Sequence, residues 1–87
     1  MTLRIETASS DDLVVLRLIG EIQSEDLDAL KAQVNENPRR IQFDLDEIIR
    51  VDAVGVRFLN SSEESGVELL NCPPYIREWM KREKARN

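Results

Sequence analysis

Histidine is absent from these 87 residues and cysteine occurs once. Without histidine, neither a Ser–His nor a Cys–His nucleophile pair can be assembled. The lone Cys72 forms no disulfide within the chain, which fits a reducing compartment. Glycine is scarce too. Gly20, Gly55 and Gly66 are too scattered for a phosphate-cradling loop. No apolar run approaches the roughly 20 residues that cross a bilayer, so no membrane insertion is expected. The opening Met1-Thr2-Leu3-Arg4-Ile5-Glu6 lacks the charged and apolar regions of a signal peptide, and the chain is expected to stay in the cytoplasm. There is no internal repeat, linker or low-complexity segment, and one domain spanning residues 1–87 is expected.

What is present is an ordinary globular balance, with 41% hydrophobic and 33% charged residues, which argues against disorder. Twelve basic and 17 acidic residues leave a net charge of −5. Nucleic-acid phosphates need clustered Lys and Arg, so nucleic acid is not an expected partner. The local exception is Lys81-Arg82-Glu83-Lys84-Ala85-Arg86. Glu83 interrupts that run and no aromatic residue is interleaved, so it reads as a final helical turn whose cations suit the helix dipole.

Periodicity divides the chain into seven elements. Leu3, Ile5 and Thr7 alternate with Arg4 and Glu6, a half-buried strand. Ser9-Ser10-Asp11-Asp12 reads as a turn. Leu13 to Ile19 is a second strand with Val14, Leu16 and Leu18 on one face, and Gly20 ends it. Ser24 is placed to cap a helix carrying Leu27, Leu30 and Val34, which Asn35-Glu36-Asn37-Pro38 closes. Ile41, Phe43 and Leu45 alternate in a third strand. Asp52 opens a second helix, with Val54, Phe58 and Ser62 on one line, Gly55 and Leu59 on the next, and Gly66 as its stop. Val67 to Leu70 is a fourth strand, and Pro73-Pro74 opens a third helix with Ile76 and Met80 on one side. The order β-β-α-β-α-β-α predicts an α/β fold: a mixed four-stranded sheet, an N-terminal antiparallel hairpin, and helices mainly on one face. Leu16, Leu18, Leu30, Phe43, Leu59, Leu69 and Ile76 are the expected core.

Few residues suggest chemistry. Asp44, Asp46 and Glu47 could imitate a metal site, but a hard cation needs converging ligands, and the cluster reads as a solvated strand end. No metal or cofactor is expected. Glu63-Glu64 reads as helix surface. Cys72 stands at the start of the last helix, where a helix N-terminus can lower a thiol pKa; packing or capping is the favoured role and a thiol-reactive or redox function the alternative.

The most informative stretch is Ile48-Ile49-Arg50-Val51-Asp52-Ala53-Val54-Gly55-Val56, which passes into the second helix through Asp52, with Gly55 allowing that helix to pack closely on the sheet. Here the chain resembles the STAS domains, and among them the bacterial anti-sigma-factor antagonists. Leu18-Ile19-Gly20-Glu21-Ile22 resembles the family's Gly-Glu/Asp-Leu segment, and Phe43-Asp44-Leu45 resembles its Asp-Leu pair. Val51-Asp52-Ala53-Val54-Gly55-Val56 resembles its Asp-Ser-Ser-Gly-Leu segment, and Ser65-Gly66-Val67-Glu68-Leu69 resembles the Gly before its next strand.

The resemblance implies a STAS-like fold and a non-enzymatic regulatory module. Its partner would be a protein: an anti-sigma factor or kinase-like regulator or, alternatively, the ATPase of an ABC-type phospholipid transporter. In the family, the loop and helix after the Asp engage the partner, and phosphorylation of a serine there releases it. Ala53 and Val54 fill both serine positions here and neither has a hydroxyl. The expected partner-binding residues are Asp52, Ala53, Val54, Gly55 and Arg57, with Ala53 beside Arg57 on the open side and Val54 and Gly55 turned toward the sheet.

Overall fold

A computed structural model describes residues 3–37 and 39–86. Strand β1 (Leu3–Ser9) turns back through Ser10–Asp12 into β2 (Leu13–Ile22). The hairpin is antiparallel with an unbroken register from Leu3 opposite Gly20 to Ser9 opposite Val14, and the Ser10 N–H donates to the Leu13 carbonyl at 2.8 Å. A 3-10 turn (Ser24–Asp26) leads into α1 (Leu27–Asn35), followed by β3 (Arg40–Asp44), β4 (Ile48–Val51), α2 (Ala53–Glu64), β5 (Glu68–Leu70) and α3 (Pro74–Ala85). β2 pairs in parallel with β3 and, further along the same edge, with β4, while β3 pairs in parallel with β5. The expected mixed sheet is therefore present, with five strands among the described residues rather than four.

The additional strand, β4, arises from a local turn. Asp44 Oδ1 accepts from the Asp46 N–H at 3.1 Å, and the Ile48 N–H donates to the Leu45 carbonyl at 3.1 Å. This side-chain-closed turn lets the chain leave β2 after Asp44 and rejoin it opposite Gly20 to Ile22. Gly20 accordingly does not end β2. It sits at φ +101° where the register shifts, a bulge position that favours glycine, and the strand continues to Ile22.

Two-residue alternation sets the layers. Leu3, Val14, Leu16, Leu18, Ile22, Ile41 and Phe43 are buried on one face, and Leu30, Val56, Leu59, Ile76 and Met80 from the three helices join the same core. The predicted core is present, with Leu69 half-buried at its margin. Phe43 stacks on Phe58 with ring centroids 5.9 Å apart. On the opposite face stand Glu6, Arg17, Gln42, Asp44 and Glu68, none of them buried.

Candidate functional site

Parallel pairing puts the C-terminal ends of β2, β3, β4 and β5 on one rim of the sheet, and α1, α2 and α3 begin just after Ile22, Val51 and Leu70 on that rim. Each start is fixed locally. Before α1, the Gln23 N–H donates to the buried Asp26 carboxylate at 3.0 Å in a capping box, so Gln23, not Ser24, caps this entry. A 3-10 turn of three residues intervenes before α1 proper. At α2, Asp52 has an extended backbone and its Oδ1 accepts from the Gly55 N–H at 2.8 Å. At α3, Pro73 is the cap and Pro74 the first helical residue, where a missing N–H costs nothing.

Gly55 holds α2 tight against the strands. A β-carbon there would lie 2.5 Å from Val51 Cγ2 and 3.3 Å from Ile22 Cγ2, distances that leave no room for it. The expectation that glycine permits close helix–sheet packing is met. Val54 departs from expectation: it is 41% exposed rather than turned to the sheet. Phe58 and Ser62, four and eight residues on, are buried as the line through Val54 predicts. Val54, however, lies in the first turn, at the rim, where it borders a shallow groove of about 190 Å³ with Leu27, Lys31, Arg57, Phe58 and Ser61. Ala53 is half-buried, and Arg57 is exposed with its Nε donating to Glu83 Oε1 of α3 at 3.2 Å.

Sequence reasoning missed two neighbours of this segment. Ile49 of β4 is 73% exposed and Tyr75 of α3 is 51% exposed, and the Tyr75 hydroxyl donates to the Ile49 carbonyl at 3.1 Å. The exposure of Ile49 follows only once β4 is known to be a strand: successive strand side chains point to opposite faces, so Ile48 and Ile49 cannot both enter one core. Arg50 alongside reaches Glu21 at 3.7 Å.

The other candidates lie apart from this segment or are engaged otherwise. Asp44 Oδ1 accepts from Asn71 Nδ2 at 3.2 Å as well as from Asp46, and Glu47 pairs with Arg17. No three acidic or thiol side chains among the described residues converge as metal ligands would. Cys72 is half-buried with its Sγ 3.7 Å from the Pro73 carbonyl. Burial pushes its thiol pKa up; Arg77 opposes that shift and Glu63 adds to it. The largest influence on the thiol is therefore its burial. The depression of about 320 Å³ bordered by Arg39, Arg40 and Gly66 lies at the other end of α1 and α2. No helix among the described residues is long and apolar enough to cross a membrane.

No protein-family model matches the chain, and no curated protein matches it. Solved structures do. An antisigma-factor antagonist STAS domain from Rhodobacter sphaeroides superposes with a TM-score of 0.63 over 80% of this chain and 87% of that one, at 14% identity. The anti-sigma factor antagonist SpoIIAA in its unphosphorylated form superposes with a TM-score of 0.70 over 94% of this chain and 80% of that one, at 18% identity. The fold of the chain is the STAS fold.

Proposed function

We propose that this chain is a regulatory protein-binding module whose partner contacts the start of α2, and that binding there is not switched by phosphorylation. The observation that carries the proposal is the first turn of α2. Asp52 and Gly55 fix its position, and it carries Ala53 and the exposed, apolar Val54 at the two positions that match the family's serines, with the cationic Arg57 alongside. An apolar side chain held on a rigid element suits an anchor for another protein, and small residues around it cost little entropy to order. The likeness in fold to anti-sigma-factor antagonists supports a partner of the anti-sigma-factor or kinase-like class; a transporter ATPase is the other class the sequence suggests.

The test begins by identifying the partner through affinity purification from the native host and measuring its Kd with purified proteins. Val54→Asp and Ala53→Asp each place a negative charge in the first turn, where the helix dipole tolerates it, so both variants should keep the wild-type circular dichroism spectrum. Binding should weaken about tenfold or more, equivalent to about 1.4 kcal/mol. Folded variants that bind as tightly as wild type would place the working surface elsewhere.

A further inference from the structure

We propose that β1 is a self-complementary edge through which two copies of this chain pair, antiparallel, across a two-fold axis at Ile5. β1 is hydrogen-bonded to β2 on one side and, among the described residues, ends the sheet on the other. Its seven residues contain no proline or glycine, and its register with β2 is unbroken, so the outer edge offers a regular row of backbone donors and acceptors. Natural edges of this kind are commonly blocked by a bulge, a proline or an inward-pointing charge. β1 has none of these: its charges, Arg4 and Glu6, stand on the open face of the sheet.

The sequence of the strand selects one register. A two-fold axis perpendicular to the sheet keeps each face continuous only if opposed residues share parity, so the axis must pass through a residue. Centred on Arg4 it would oppose two guanidinium groups, and centred on Glu6 two carboxylates, both unfavourable. Centred on Thr7 it would set Ile5 against Ser9 and leave both charges without partners across the axis. Centred on Ile5 it places Arg4 opposite Glu6 of the second copy, and Glu6 opposite its Arg4. On the other face it sets Ile5 on Ile5 and Leu3 on Thr7. Of these four registers it alone pairs the opposite charges on one face and sets Ile5 on Ile5 on the other. Arg4 and Glu6 are accessible, with side chains 72% and 42% exposed; Arg4 Nη2 reaches Glu6 of its own strand at 2.5 Å, an exposed pair that the contact across the axis would exchange for its equivalent. The half-buried Ile5 would be covered in the pair. A ladder over residues 3–7 is short, so the dimer is weak and forms reversibly with concentration.

Sedimentation equilibrium of the full chain at low salt, over a concentration series, measures it. The wild type should show a monomer–dimer equilibrium. Arg4→Glu or Glu6→Arg alone sets like charges opposite each other at both ends of the ladder and should weaken dimerisation about tenfold or more. The double variant R4E/E6R restores complementarity and should recover the wild-type constant. Glu6 also lies 3.9 Å from Arg17, so a covalent trap guards against misfolding of its variant. In a Cys72→Ser background, Ile5→Cys brings two thiols face to face across the axis, within disulfide reach, whereas Ala8→Cys does not. Oxidation should give a linked dimer from the first and not the second. A wild type monomeric throughout, a dimer indifferent to the reversals, a double variant that stays dissociated, or equal cross-linking at both positions overturns the proposal.

Discussion

Replacing Gly55 with alanine runs against the usual rule for helices. In an open helix interior the change would stabilise by about 1 kcal/mol, because alanine is the better helix former. At Gly55 the new methyl would meet Val51 Cγ2 at 2.5 Å, Ile22 Cγ2 at 3.3 Å and Asp52 Oδ1 at 3.3 Å. Val51 and Ile22 are 4% and 1% exposed, and both are β-branched side chains with stiff χ1 angles, so neither can swing aside. Relief requires α2 to lift from β4, which costs roughly 1–3 kcal/mol as overpacking. The lift also strains the Asp52 cap, itself a contribution of about 1 kcal/mol. After subtracting the propensity gain, Gly55→Ala should destabilise by about 1–3 kcal/mol, lowering the Tm of a domain of this size by about 5–20 °C. Thermal and urea unfolding followed by circular dichroism would measure it, with Ser61→Ala on the exposed side of the same helix as the near-neutral control. Adding Val51→Ala opens space for the methyl, so the double variant should be more stable than the sum of the single losses. A Gly55→Ala protein as stable as wild type would refute the close-approach argument, and with it the reason that the first turn of α2 stands where it does.

The remaining predictions concern the core and the thiol. Phe43 is fully buried against Phe58, and Leu59 is fully buried in α2, so Phe43→Ala and Leu59→Ala should cost about 3–5 and 2–5 kcal/mol, out of a total stability of about 5–15 kcal/mol. If both variants keep the wild-type Tm, the core has been misassigned. Burial raises the Cys72 pKa, so iodoacetamide should alkylate it more slowly in the native protein than in the urea-unfolded chain. The folded state binds the thiol proton more tightly than the unfolded state does. That contribution to stability is therefore complete below the unfolded pKa and lost as pH rises through the folded value into the alkaline range. Cys72→Ser should retain the fold and flatten the alkaline loss, and a native thiol that reacts as fast as an unfolded one would contradict the burial.

Legibility in the sequence followed the strength of the local pattern. Val14, Leu16 and Leu18 alternate cleanly and are buried as read. Asp52 and Gly66 bracket α2 as read, because capping depends on a residue's own side chain or backbone freedom rather than on distant contacts. β4 could not be read. Its four residues run buried, exposed, exposed, buried, which matches neither a period of two nor one of 3.6, and it exists because β2 offers an unfilled edge beyond the end of β3. The entry to α1 differs for a related reason: the buried Asp26 carboxylate accepts from the Gln23 N–H and closes a 3-10 turn over Ser24–Asp26, so α1 itself begins at Leu27 rather than directly after Ser24.

Val54 shows how the candidate surface depends on what local patterns leave out. Helical spacing correctly groups Val54 with Phe58 and Ser62, yet spacing says only which direction a side chain points, not whether anything stands there. Phe58 points at Phe43, inside the sheet's span, whereas Val54, one turn earlier, is at the rim where the strands have ended. Gly55 draws the same turn down onto Val51 and Ile22, so the helix cannot tilt to cover Val54 without moving off β4. The exposed valine is thus a consequence of the close packing beside it. Two segments that read as unrelated in the sequence, β4 and the helix start, together leave Val54 open at the rim.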